Sequence, residues 1–253
     1  MNKVAIVTGG SSGIGRAVSI ALAESGFQVT VVGRTTRYIE ATLDLLKTKT
    51  PAGQKPLHTG LALDVINEKD MQEMADITMD RFGRIDLLVA SAGIGKKAGS
   101  SRVIPYSTAT LPPDEWDAVI GVNLTGTFLS NRAVIAPMIS QRSGHIINIC
   151  SSTTPHGLHG TPYAPAYSAS KFGVVGLTES LAEEVSSYGI RVQAVFPGAV
   201  ETPLVDNTIL ARPFGGTITA DNFASTIMYL VTQPVDATTI HPHVIPFRGA
   251  FSA

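Results

Sequence analysis

Tyr167 and Lys171 stand four residues apart in the run Tyr167-Ser168-Ala169-Ser170-Lys171. At that spacing on a helix two side chains share a face, so an ammonium can lie beside a phenol. A free tyrosine ionises near pH ~10. A neighbouring cation favours the phenolate, and lowering the pKa by about three units corresponds to ~4 kcal/mol of differential stabilisation. Such a phenol can give and take a proton near neutrality. The same spacing arises where an aromatic stem merely covers a lysine stem, so the pair gains meaning from its company.

That company begins at Thr8-Gly9-Gly10-Ser11-Ser12-Gly13-Ile14-Gly15, directly after the apolar run Val4-Ala5-Ile6-Val7. A strand, a glycine turn and a helix open a dinucleotide-binding unit. The glycines permit a tight turn and let backbone N–H groups approach a pyrophosphate at the helix N-terminus. Gly9, Gly13 and Gly15 are set further apart than in G-x-G-x-x-G.

The elements that must position these residues alternate along the chain. Strands are expected at Val4–Thr8, Gln28–Val32, Leu57–Ala62, Leu87–Ser91, His145–Cys150, Arg191–Phe196 and His243–Pro246. Helices are expected at Gly13–Ser25, Arg37–Lys47, Glu68–Phe82, Pro113–Met138, Tyr163–Tyr188 and Ala220–Thr232. Alternation of this kind predicts an α/β fold: a doubly wound parallel sheet of Rossmann type, about seven strands with helices on both faces. With no linker or repeat, residues 1–253 read as a single domain carrying both cofactor and substrate sites. Ligands of such sheets bind outside the carboxyl ends of the strands, where Thr8, Gly33, Asp64, Ser91, Ser151 and Pro197 fall.

Taken in order, these motifs make the chain resemble a short-chain dehydrogenase/reductase from Lys3 to about Tyr229. Thr8–Gly15 is similar to the T-G-x-x-x-G-x-G cofactor turn of that family, which assigns Gly9, Ser11, Ser12, Gly13, Ile14 and Gly15 to the dinucleotide. Asp64-Val65 matches the acidic position that contacts adenine, and Ser91, Ala92 and Gly93 the cofactor-facing turn after the fourth strand. Asn123, Ser152, Tyr167 and Lys171 match the catalytic asparagine, serine, tyrosine and lysine. Pro197, Gly198, Val200 and Thr202 match the segment that closes over nicotinamide. Two departures bear on these assignments. The family's Asn-Asn-Ala-Gly is Ala90-Ser91-Ala92-Gly93 here, and the stretch from Ser152 to Tyr167 is about two residues longer than usual. Ser152 is preferred as the second serine after the strand, with Ser151 as the alternative.

The resemblance implies hydride exchange between a nicotinamide and a carbonyl or secondary alcohol. Tyr167 would transfer the proton, Ser152 polarise the oxygen, Lys171 tune the phenol and hold the ribose, and Asn123 bind a water leading to solvent. At the end of the second strand Gly33-Arg34 stands where an NAD enzyme carries an acid, and a guanidinium suits a 2′-phosphate. NADP is therefore expected, with NAD the lesser alternative. A lyase or isomerase on this fold, or a non-catalytic dinucleotide sensor, are the other functional classes; the intact quartet speaks against a sensor. Substrate contacts are expected from Ile94–Pro112, with Lys96, Lys97, Arg102 and Tyr106; from Thr153–Ala166, with His156, His159 and Tyr163; and from Ala199–Thr219, with Leu204 and Phe214. A homotetramer packed through the helices around Gly126–Met138 and Phe172–Tyr188 is also implied.

Composition narrows the remaining classes. A net charge of −1 gives no electrostatic footprint for nucleic acid. Cys150 is the single cysteine, and His156, His159, His241 and His243 lack the helical zinc spacing, so no metal is expected. A strand begins within three residues of Met1 and no apolar run reaches ~18 residues, which reads as a cytoplasmic protein without signal peptide or membrane span.

Overall fold

The computed structural model describes residues 2–100, 106–152, 160, 163–204, 216–234 and 236–247. Among them seven strands form one parallel sheet: β1 (Val4–Thr8), β2 (Gln28–Gly33), β3 (Thr59–Ala62), β4 (Leu87–Ala90), β5 (Gly144–Ile149), β6 (Ile190–Pro197) and β7 (His243–Val244). Their spatial order is β3-β2-β1-β4-β5-β6-β7. The order reverses direction at β1, so β1 and β4 flank the switch point where such sheets bind ligands. Register keeps the carboxyl ends level, with Thr8 beside both Val32 and Ala90.

Both faces of the sheet are covered, which is why the strands read as continuous apolar runs. Alternate residues face opposite sides: Ala5 and Val7 join one core, Ile6 the other. The first core takes Val18 and Leu22 from α1 (Gly13–Glu24), Ile39 and Leu46 from α2 (Thr36–Lys49), and Phe223 and Ile227 from α7 (Ala220–Val231). The second takes Met71 and Met74 from α3 (Glu68–Phe82), Val134 and Met138 from α5 (Gly126–Gln141), and Leu181 and Val185 from α6 (Pro165–Val185). Fully burying each large apolar side chain contributes about 1.5–3 kcal/mol. Local signals agree with these bounds. Asn67 caps α3 by accepting from Lys69 N at 2.9 Å, and Gly83 ends it at φ 73°.

The expected elements are present, with differences that have local causes. β3 starts at Thr59 instead of Leu57, because the Leu57 N–H donates to the Gln28 side chain at 2.8 Å. α6 starts at Pro165 instead of Tyr163, whose φ of 61° is left-handed. The helix expected from Pro113 to Met138 is three pieces: α4 (Pro113–Ile120), a π turn at Gly121–Thr125, and α5. Single π turns inside α-helices concentrate at functional sites, and this one carries Asn123.

Candidate active site

The glycine turn after β1 is shaped by backbone contact. A Cβ on Gly9 would lie 2.8 Å from Ala92 N, and one on Gly15 would lie 2.3 Å from Gly9 O. Neither position accepts a side chain without moving main chain. Gly9 at φ 66° and Gly13 at φ 49° also take left-handed conformations that favour glycine. Arg16 locks the turn from below, donating from Nη2 to Ser11 O at 2.5 Å and from Nε to Thr42 Oγ1 at 3.1 Å. Ser12 precedes α1 in extended conformation and its hydroxyl makes no cap bond.

A groove opens above this turn. Gly9, Ser11, Ser12, Gly33, Arg34, Asp64, Val65, Ala92 and Gly93 all line it. Ile94, expected as a substrate contact, lines it as well, and Thr35, Tyr38 and Val122 line it without having been anticipated; Tyr38 is 52% exposed. Arg34 is exposed at the groove's edge. Asp64 accepts from Ile66 N at 3.3 Å, which fixes its turn. The P-G segment crosses from the other side: Thr202 Cγ2 would lie 3.1 Å from a Cβ on Gly13. Val200 is held beneath it by a bridge to Ile218, and Gly198 N donates to Val244 O at 2.8 Å. Ile14 packs on the core and Ser91 N donates to Thr8 O at 3.2 Å, so these two support the turn.

The groove and the Tyr167–Lys171 pair share a wall. A Cβ on Gly93 would lie 3.4 Å from Asn123 Oδ1 and 3.8 Å from Lys171 Nζ. Lys171 Nζ donates to Ile149 O at 2.8 Å and sits 5.8 Å from the Tyr167 ring centroid. Its stem is buried, and burial lowers its pKa. The Tyr167 pKa is raised, chiefly by burial, while a hydrogen bond with the Ser151 side chain opposes the rise. The expectation from spacing is a lowered phenol pKa; burial, the leading cause, moves it the other way.

Two further expectations change. Ser151, not Ser152, is the serine whose side chain opposes the rise in the Tyr167 pKa. Ser152 turns away, its Oγ 3.1 Å from His243 Nδ1 and its N–H donating to Pro197 O at 2.7 Å. Consecutive residues in extended backbone point to opposite sides, so only one of the two serines can face the phenol. The Asn123 side chain is occupied by protein: Oδ1 accepts from Ile94 N at 2.8 Å, and Nδ2 donates to Ile94 O at 3.0 Å and Ser170 Oγ at 3.1 Å. It braces the loop after β4 against α6. His156, His159, Arg102 and Phe214 lie outside the described residues. Tyr163 is 60% exposed and Leu204 38% exposed, with Leu204 3.6 Å from a Cβ on Gly95. Among the described residues no cluster could hold a metal, and no helix is long and apolar enough to cross a membrane.

Comparison with known proteins matches this arrangement. The family model described as short chain dehydrogenase matches residues 3–212. The chain belongs to the short-chain dehydrogenase family. Its relatives include a 3-oxoacyl-[acyl-carrier-protein] reductase of Synechocystis, 36% identical over 241 residues, covering 93% of this chain and 91% of that one. Among solved structures, levodione reductase superposes with a TM-score of 0.86 at 29% identity, covering 99% of this chain and 98% of that one. The 3-ketoacyl-(acyl-carrier-protein) reductase of Brucella melitensis, solved with NADH, gives 0.84 at 28% identity, with 98% of each chain covered. The short-chain dehydrogenase fold, with its seven parallel strands and flanking helices, is thus shared over nearly the full length.

Proposed function

We propose that this protein is an NADP(H)-dependent reductase of a ketone or the dehydrogenase of the corresponding secondary alcohol, with Ser151, Tyr167 and Lys171 at the reacting oxygen. The observation that carries the reading is the wall shared by the glycine-lined groove and the Tyr167–Lys171 pair, where a Cβ on Gly93 would lie 3.8 Å from Lys171 Nζ. The groove fits a dinucleotide: a helix N-terminus opening at Gly13 follows Gly9 and Gly10, and Gly9 and Gly15 leave the space of a side chain to the backbone. Gly9, Ser11, Ser12, Gly13 and Ile14 would hold the pyrophosphate, Asp64 and Val65 the adenine, and Ala92, Gly93, Pro197, Gly198 and Thr202 the nicotinamide half. Arg34 would hold a 2′-phosphate, since its guanidinium is exposed at the groove where no acidic side chain substitutes. A nicotinamide dinucleotide, when bound there, supplies or accepts the hydride.

The protein's own groups do the rest. Tyr167 holds its proton at neutral pH, as a phenol does, and is the group that would donate it to a carbonyl oxygen; burial raises its pKa, so donation needs the oxygen and the nearby positive charge of Lys171 in place. Ser151 orients that phenol and is placed to polarise the same oxygen. Lys171 supplies positive charge near the ring, and Asn123 holds the Ile94 loop and Ser170 in place. The names of the 3-oxoacyl and levodione reductases favour a ketone as the substrate class.

Tyr167→Phe removes the transferable proton and keeps the ring. In a panel of ketones and secondary alcohols assayed with NADPH or NADP, kcat should fall at least ~10²-fold, the lower range for losing a general acid. NADPH affinity by fluorescence titration should change less than about twofold. Near-wild-type turnover would move the acid to another group, with Tyr163 the first to test.

A further inference from the structure

The tail strand β7 reaches the serine turn in a way that the proposed reaction does not use. His243 Nδ1 lies 3.1 Å from Ser152 Oγ, and Ser152 is 2% exposed. The His243 ring stacks on Phe196 of β6 at 4.5 Å between centroids and 22° between planes. The neighbouring His241 sets its ring edge-on to Phe196 at 5.4 Å, and its Nε2 contacts Glu179 Oε1 of α6 at 3.1 Å. Main-chain bonds from Phe196 N to Pro242 O at 2.9 Å and from Gly198 N to Val244 O at 2.8 Å fix the register. The tail therefore ties the end of β5, the end of β6 and the helix that carries Tyr167 and Lys171.

We propose that His243 is a positioning residue for catalysis: through Ser152 it clamps the turn after β5 to the tail strand and so holds Ser151 against Tyr167. This rests on Ser151 being the serine that acts. Among the described residues two ties on the turn bear on Ser152. The Ser152 N–H is fixed to Pro197 O, which sets the backbone, and the Ser152 hydroxyl is fixed to His243, which sets the rotation of the peptide between the two serines. Catalytic groups lose efficiency when displaced by about half an ångström, so a second tie on the residue next door has kinetic weight.

The same bond makes the clamp sensitive to protons. Burial and the neighbouring His241 lower the His243 pKa, so the imidazole is neutral at pH 7 and its Nδ1 can accept from the Ser152 hydroxyl. Below that pKa Nδ1 carries a proton and must donate, which reverses the bond and turns the hydroxyl proton elsewhere. The groups facing the ring are Ser152 from the end of β5, Phe196 from β6 and His241 from the tail, with Glu179 of α6 held on the far side of His241.

The test uses His243→Phe, which keeps a ring on Phe196 without Nδ1, and His243→Asn, whose side-chain carbonyl replaces Nδ1 as an acceptor that does not titrate. For His243→Phe, kcat should drop about tenfold, the scale of one lost hydrogen bond, with cofactor affinity within about twofold. Ser152→Ala should cost about the same, and the double variant no more than either single one. His243→Asn should recover kcat to within about twofold at pH 7 and lack the acid limb of the wild-type pH profile. Unchanged kcat in a folded His243→Phe, additive losses in the double variant, or an acid limb retained by His243→Asn would each overturn the clamp. If His243→Phe does not fold, the asparagine profile decides alone. Ser151→Ala separates this from the underlying assignment: a loss smaller than that of Ser152→Ala would mean that Ser152 is the acting serine.

Discussion

The two halves of this sheet build their sites by opposite means. Around β1 and β4 the site is made of main chain: Gly9 against Ala92, Gly15 against Gly9, and Gly13 under Thr202. Around β5, β6 and β7 it is made of side chains: Ser151 near Tyr167, Asn123 on Ser170, and Ser152 on His243. A backbone-built site recognises a feature common to many ligands, the pyrophosphate, and is damaged by adding atoms. A site built from side chains sets chemistry and is damaged by removing them. The first half should therefore respond to added volume, and the second to lost hydrogen bonds and to pH.

The largest effect should come from adding one methyl group to the backbone-built half. Gly15→Ala places a carbon where Gly9 O is 2.3 Å away, so the turn must open. Dinucleotide affinity, measured by fluorescence titration, should fall by at least ~10²-fold, as binding depends on the close approach of main chain. Unchanged affinity would show that the turn yields easily and would remove the contrast between the halves.

The second half should carry an acid sensitivity that the first lacks. His145 starts the β5 ladder with its Nε2 2.7 Å from Gln193 Oε1. Gln193 Nε2 already donates to Thr239 O at 2.7 Å, so its oxygen faces the imidazole and His145 Nε2 is the donor. Burial first, with nearby Arg191 and Lys3, lowers the His145 pKa to about 4, against the opposing Gln193 hydrogen bond. Because the folded pKa lies below the unfolded value near ~6.5, this group's stability is fully present above pH ~6.5 and is lost as pH falls toward about 4. The loss should reach about 2–3 kcal/mol across that window. Urea unfolding between pH 7 and 4 checks it, with His145→Gln expected to flatten the slope. An equal slope in that variant would place the acid sensitivity elsewhere.

The smallest effect concerns the rim of the first half, where the proposed NADP preference would rest on a single side chain rather than on the backbone. Arg34→Ala should lower kcat/KM for NADPH about tenfold, the scale of one charge-assisted hydrogen bond, and change that for NADH less than about twofold. A parallel loss with both cofactors would show that Arg34 touches a part of the dinucleotide common to the two, and NADP selectivity would need another source.

Much of this was legible in the sequence because it is local. Apolar runs such as Val4–Thr8 and Leu87–Ala90 reveal strands whose two faces are both buried. The turn Thr8–Gly15 reveals itself because only glycine fits left-handed backbone and main-chain contact. Tyr167 and Lys171 are legible because helical spacing puts them on one face. Less was legible where several elements meet. The π turn at Asn123 follows from fitting one helix between Ile94 and Ser170, partners 29 and 47 residues away. Which serine faces Tyr167 depends on how the strand ends relative to β6 and β7, and His243 reaches Ser152 across 91 residues.

The sequence by itself therefore determined the strand order's raw material, the glycine turn and the pairing of Tyr167 with Lys171 on one helix face, since propensity, periodicity and steric exclusion act over a few residues. Only the tertiary structure decided that Ser151 meets the phenol, that Lys171 points at Ile149 O, that burial raises the Tyr167 pKa, and that the tail holds the turn. Those outcomes depend on desolvation and on the direction of single hydrogen bonds, and both are set by neighbours that come together only when the sheet closes its register.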